Sequence, residues 1–364
     1  MDKILQNEIK ADEMLPESYG KQGAYSELPV AYDAKGALMP TSSLESAYLT
    51  PFGDGNDGDV IISVDTTLTR DMFYENLTIN NGVSLNVGSY RIFVKETLIN
   101  NGTIHNNGNN ASGNTAGAAI ASGSLPGAVA GVNGGSAVAI SNGALTGGAA
   151  IAGNSVAKAL GNAAVAGVGG GDSHTDASGN GPAGATAAAG SKTGTIFNAI
   201  RNYIAAYNLF DVLPSFAQLG GPPSGSSGSG GGSSCSTASG TCSGSSGSGG
   251  GSGGPGGIVT IFAKKIENKG IISVVGGDAG AGSNASFTGT STNYAGGGGG
   301  AGAPGNGGII ILVYSILSAE GTLNISAGAT ASGGTGVAGG TNSYGNSGGS
   351  SSAANDGLLI KIKA

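Results

Sequence analysis

Among its 364 residues the chain has no tryptophan, two cysteines and two histidines. That scarcity removes most of the side chains that nucleophilic catalysis relies on, since a nucleophile needs a positioned base beside it. Cys235 and Cys242 lie in a Gly/Ser tract at a spacing that fits no zinc motif. They are read as two inert exposed thiols in preference to a local disulfide. Charged residues make up 10% of the chain, against ~25% in ordinary soluble domains, which argues against a charged disordered tail. A formal net charge of −7 supplies no attraction for nucleic acid or an anionic membrane. No uninterrupted apolar run reaches the ~18 residues of a spanning helix, and Met1–Glu8 lacks the apolar centre of a secretory leader.

What the chain has instead is glycine, 74 residues of it, and a repeated phrase. A short β-branched run leads to a turn ending in Gly, then to a second short run. It reads Arg91-Ile92-Phe93-Val94 … Leu98-Ile99-Asn100-Asn101-Gly102-Thr103-Ile104, and again from Gly257 through Asn268-Lys269-Gly270 to Val274. It returns from Gly308 through Glu320-Gly321 to Ile325, with a related turn at Asn80-Asn81-Gly82. Such repetition marks a chain that builds its core by stacking similar units. The entries at Gly257, Gly308 and Gly357 lie 51 and 49 residues apart, so the strands are the unit and the glycine tracts are corner loops. The expected fold is all-β, a β-solenoid or β-helix-like stack of short strands with long glycine-rich loops.

Four regions follow. Residues 1–53 hold many of the charges and read as an arm, with a short helix that Pro16 ends. It is either a tether that orders on a partner or an arm packed on its own core. Residues 54–108 form a first β block, in which Arg91–Val94 and Thr97–Ile99 read as separate strands and the Asn-Asn-Gly turns supply positive φ. Residues 109–256 are an Ala/Gly/Ser-rich insertion, one corner loop enlarged. Within it Ile196, Phe197, Ile200, Tyr203, Ile204 and Tyr207 recur at helical spacing, which predicts a short amphipathic helix near 195–210. Such a helix needs an apolar surface on the core, on a second copy or on a target. Residues 257–364 resume the stack, and Lys361 and Lys363 alternate with Ile360 and Ile362 to discourage pairing at its edge.

The run Gly296–Gly308 cannot form a hydrophobic core. It is either a flexible linker or a set of extended, three-residue-per-turn helices packed side by side, a polyglycine-II-like lattice. Residues 220–256 read as a flexible linker. Gly53-Asp54-Gly55-Asn56-Asp57-Gly58-Asp59, Leu68–Met72, Asn80-Asn81-Gly82 and Arg91–Val94, with the glycine runs, resemble β-solenoid and glycine-rich domains of tailed-phage fibre and adhesin proteins. The resemblance covers less than half the chain. It implies a non-enzymatic virion component that attaches to other virion proteins through its N-terminal arm. Its loops would meet a host-surface glycan or protein, and it would be a homo-oligomer without a membrane span. Synthesis in the cytoplasm and release with the particle would then reconcile the missing leader with an external role. The alternatives are a self-assembling subunit (capsid decoration or extracellular filament) and, weighted least, a polysaccharide depolymerase. That last reading suffers from few carboxylates in the β blocks.

Asp54, Asn56, Asp57 and Asp59 form the densest oxygen-ligand cluster and are the candidate calcium ligands, although no downstream bidentate Glu completes an EF-hand. A turn leading into Val60 is the preferred reading, and no other cofactor is expected. Asp172, His174 and Asp176 could donate to a metal but read as solvated, and His105 reads as a surface residue. Sequons at Asn76, Asn101, Asn110, Asn284 and Asn324 are read as turn asparagines.

Overall fold

The computed structural model describes residues 51–137, 233–235, 244–288, 294–339 and 347–364, all within the compact unit Pro51–Ala364. The predicted helix near 195–210, Asp172, His174, Asp176 and the arm up to residue 50 lie outside the described residues. Strands dominate those described, with parallel sheets and no helix. The larger sheet holds β1 (Gly58–Ile62), β3 (Met72–Ile79), β5 (Arg91–Asn100), β9 (Ile258–Asn268), β13 (Ile309–Ala319) and β16 (Leu358–Lys363), paired in that order. A second sheet holds β2 (Thr66–Thr67), β4 (Ser84–Asn86), β6 (Thr103–His105), β10 (Ile271–Ser273) and β14 (Thr322–Asn324), again in sequence order. Every pairing in both sheets is parallel.

Each strand of the larger sheet except β16 is followed by a short strand of the second sheet, and the repeated phrase is this pair. The spacing seen in the sequence becomes register: Ile309 pairs with Ile258 and with Leu358. Residues 106–257 intervene between β6 and β9, yet β5 pairs directly with β9, Phe93 opposite Phe262. Arg91–Val94 and Thr97–Ile99 are one strand, interrupted where the pairing shifts, between Val94 and Leu98 against β3 and between Val94 and Thr97 against β9. Lys95 and Glu96 occupy that irregularity. Their side chains pair with Glu75 (2.9 Å) and Lys264 (2.7 Å) on the adjacent strands. A bulge bends a strand without ending it.

Alternation sorts the larger sheet into two apolar faces. Val259, Ile261, Ala263, Ile310 and Leu312 join Leu85, Ile104 and Ile272 of the second sheet in one core. Ile258, Phe262, Ile309, Ile311 and Val313 face the other way, in a cluster with Phe93, Phe52, Leu125 and Ala128. Parallel sheets are characteristically covered on both faces, and burying each such side chain contributes about 1.5–3 kcal/mol. Phe73, Phe93 and Phe262 stack in register, with centroids 4.7 and 4.9 Å apart.

The turns divide the glycines into two kinds. Gly82, in Asn80-Asn81-Gly82, and Gly321, after Glu320, have φ of +76° and +58°, the left-handed region expected of such turns. Gly102 does not, contrary to expectation. A Cβ there would collide with the carbonyl oxygens of Val83 and Asn80 in the turn beside it. The reason for that glycine is closeness of approach. Asparagines stitch the same turns together: buried Asn100 donates to Asn268 Oδ1 at 2.7 Å, and Asn268 Nδ2 to the carbonyl of Glu320.

Candidate functional site

The glycine-rich segments leave the β body as out-and-back arms. One leaves after β6 and returns before β9. A second leaves after β10 and returns before β13, and a third leaves after β14 and returns before β16. With almost no side chains, their backbone groups must find partners elsewhere, and they find them in one another. Gly247, Gly250, Gly253 and Gly256 donate to the carbonyls of Gly297, Gly300, Ala303 and Asn306 at 2.8–3.0 Å. In the same stretch Gly251, Gly254 and Gly257 donate to Gly113, Asn109 and Asn106, while Gly249 and Ser252 donate to Gly135 and Val132. Successive N–H groups of one segment thus turn to three different neighbours with a period of three. A second row runs antiparallel: Gly299, Gly302, Gly305 and Gly308 donate to Ser283, Gly280, Gly277 and Val274.

Residues 246–257 and 296–312 are almost wholly buried in this packing. The linker reading of 220–256 therefore fails over 244–256. Glycine content alone cannot distinguish a chain solvated by water from one whose backbone is solvated by its neighbours.

The far ends of the arms lie together. β12 (Tyr294–Gly296) pairs antiparallel with both β15 (Val337–Gly339) and β7 (Ser233–Cys235), and β8 (Gly244–Ser245) pairs with β11 (Ser286–Phe287). The rings of Phe287 and Tyr294 stack at 3.5 Å between centroids. One strand from each of the three arms is present in the three-stranded sheet. Cys235 ends β7, while Cys242 lies outside the described residues.

The acidic cluster is arranged differently. Asp54 accepts from the Asn56 backbone N–H at 3.1 Å and from its amide, while Asp59 accepts from Asn76 at 2.8 Å. Asp57 is held by both Arg70 guanidinium nitrogens, at 2.5 and 3.1 Å, and by the Phe73 N–H at 2.7 Å. The Arg70 bond holds the Asp57 carboxyl below its usual range, against the opposing effect of burial. Each carboxylate thus has its own protein donor. No group of three or more His, Cys, Asp or Glu side chains among the described residues is placed to share a metal. His105 ends β6 half-buried, not on the surface as expected. Its Nδ1 is buried without a hydrogen-bond partner among the described residues, and desolvation lowers its pKa, with the Asp65 charge acting the other way.

Sequence reasoning passed over an open groove of about 620 Å³ beside β6 and β10, lined in part by Thr103, Asn107, Asn110, Ile271, Asp278 and Asn324. Asn107 Oδ1 accepts from Ser273 Oγ at 2.7 Å and from the Val275 N–H at 2.9 Å. Asn110 Oδ1 accepts from the Asp278 N–H at 2.8 Å, and Asn324 Oδ1 from the Ser326 N–H at 3.1 Å. The signal was the run Asn106-Asn107-Gly108-Asn109-Asn110 directly after a strand. Among the described residues no helix is long and apolar enough to cross a membrane. No family model matches this chain, and neither a curated protein nor a solved structure matches it.

Proposed function

We propose that the chain is a non-enzymatic structural protein of a virion, a tail-fibre or adhesin component that presents glycine-rich arms to a host surface. The observation that carries this reading is the gathering of three out-and-back arms at one end. Because backbone bonds hold the arms, the residues between them are free to vary without loss of the scaffold. In the finer description of the fold, the two sheets are faces of a β-solenoid, a reading supported by strand order that follows the sequence in both. The arms are polyglycine-II-like helices, supported by the three-neighbour, three-residue period of their bonds. Between the outgoing and returning segments the sequence reads Gly289-Thr290-Ser291-Thr292-Asn293 and Gly340-Thr341-Asn342-Ser343-Tyr344-Gly345-Asn346. These are uncharged, hydroxyl- and amide-rich stretches of the kind adaptable recognition loops use.

On this reading the arm up to residue 53 joins the protein to other virion proteins, and the particle carries it outside the cell after cytoplasmic assembly. Replacing 289–293 and 340–346 by Gly/Ser of equal length should abolish host-cell binding and leave the melting temperature unchanged. Host binding that survives both replacements refutes the display role. Deleting residues 2–50 should remove particle attachment and spare host binding.

A second reading, self-assembly into a filament or decoration, draws on one observation: among the described residues β1 and β16 each have a neighbour on one side only. Ordered polymers of the purified protein in electron micrographs would favour it over the first.

A further inference from the structure

We propose that the groove beside β6 and β10 is a binding site for a neutral saccharide, separate from the ends of the arms. The argument begins with amide orientation. The oxygens of Asn107, Asn110 and Asn324 each accept a backbone N–H, so their positions are set by the chain. Among the described residues their NH₂ groups have no protein partner, which leaves two N–H donors on each for a ligand. Asp278 is fixed in the same way, with Oδ1 accepting the Ala329 N–H at 2.7 Å and Oδ2 unengaged among the described residues. Thr103 adds a hydroxyl to the same lining. The donors are held in place before any ligand arrives, which reduces the ordering cost of binding.

This polarity selects a ligand class. A cation needs oxygen ligands, and three of the four fixed groups have their oxygens turned to the backbone. An anion meets a carboxylate and no Lys, Arg or His in the lining. A polyol meets what it requires: amide donors for its oxygens, a carboxylate oxygen for its hydroxyl protons, and a patch for its C–H face. That patch is Ile271, 41% exposed, with Val275 beside it. The volume of about 620 Å³ lies within the ~300–1,000 Å³ range of small-molecule sites.

The test uses the full-length chain and saturation-transfer-difference NMR with maltose, lactose, mannobiose and diacetylchitobiose, alongside inorganic phosphate and calcium chloride. At least one neutral disaccharide should bind. The double variant Asn107→Asp/Asn110→Asp keeps the oxygen that accepts each backbone N–H and replaces the outward donor by an acceptor. It should therefore retain the melting temperature and weaken binding by about tenfold or more. Ile271→Ser, at an exposed position, should weaken binding several-fold and provides the check if the double variant folds poorly. Failure of all four sugars to bind overturns the proposal, as does sugar binding that neither variant changes. Saturation of the groove by phosphate or calcium in place of sugar overturns it too.

Discussion

At Gly302 an added methyl group would run into the carbonyl oxygen of Gly251, whereas at Gly58 it would meet open space. Gly58 is glycine for its φ of +68°, and Gly302 is glycine because another backbone lies against it. Gly302→Ala should therefore cost about 3 kcal/mol or more, the upper range for overpacking, while Gly58→Ala should cost about 1–2 kcal/mol of left-handed strain. Thermal melts of the two variants check this, and equal losses would contradict the distinction. The sequence does not separate the two kinds: Gly58 lies between Asp57 and Asp59 and Gly302 between Ala301 and Ala303, and neither setting says whether φ or close approach requires the glycine. Ser89 makes the same point from the other side. It is fully buried at φ +64°, with its hydroxyl donating to the Ala121 carbonyl at 2.9 Å, and nothing local marks it as the residue that takes a glycine-like conformation.

Strands were the most legible elements, because alternation of apolar and polar residues is a local property that burial then exploits. Where legibility failed, a charged pair divided one strand into two. Lys95-Glu96 interrupts the apolar pattern of β5, but the two side chains leave the strand at an irregularity and pair with neighbours on either side. Register between strands rests on ladders. Phe93 lies between Phe73 and Phe262 and is buried, whereas Phe73 is half-buried. Phe93→Ala should cost about 3–5 kcal/mol, and Phe73→Ala clearly less, in chemical denaturation. Asn100→Ala should cost about 1–3 kcal/mol. It removes the donor to Asn268 and leaves the Gly102 N–H, now bonded at 3.2 Å, without its acceptor.

For the molecule as a whole, pH dependence follows from three groups whose pKa is depressed in the folded state. Burial lowers His105 from its ordinary 6.5. The Lys269 bond lowers Glu267 from 4.5, and the Arg70 bond lowers Asp57 from 3.8. In each case the unfolded chain takes up a proton first, so stability is present above the unfolded pKa and is lost as pH falls through the folded one. The urea midpoint should be level from about pH 7 to 9, decline as pH drops below about 6.5, and decline again below about 4.5. His105→Gln should remove the first decline and keep the second; a wild-type midpoint level from about pH 7 to 5 would contradict the assignment.

The candidate groove was less legible than the fold, because its asparagines were recognisable as turn residues but the side to which their amides point was not. By itself the sequence determined most strands of the two parallel sheets, and the recurrence at 51 and 49 residues that reappears as strand register, since these depend on side chains close together in the chain. Only the tertiary structure decided which glycines touch a neighbouring backbone, where the arms find hydrogen bonds, and which donors Asn107 and Asn110 leave facing outward. Those outcomes depend on partners as distant as Val275 and Asp278, 168 residues further along the chain, and glycine offers no side chain by which such a partner could be read.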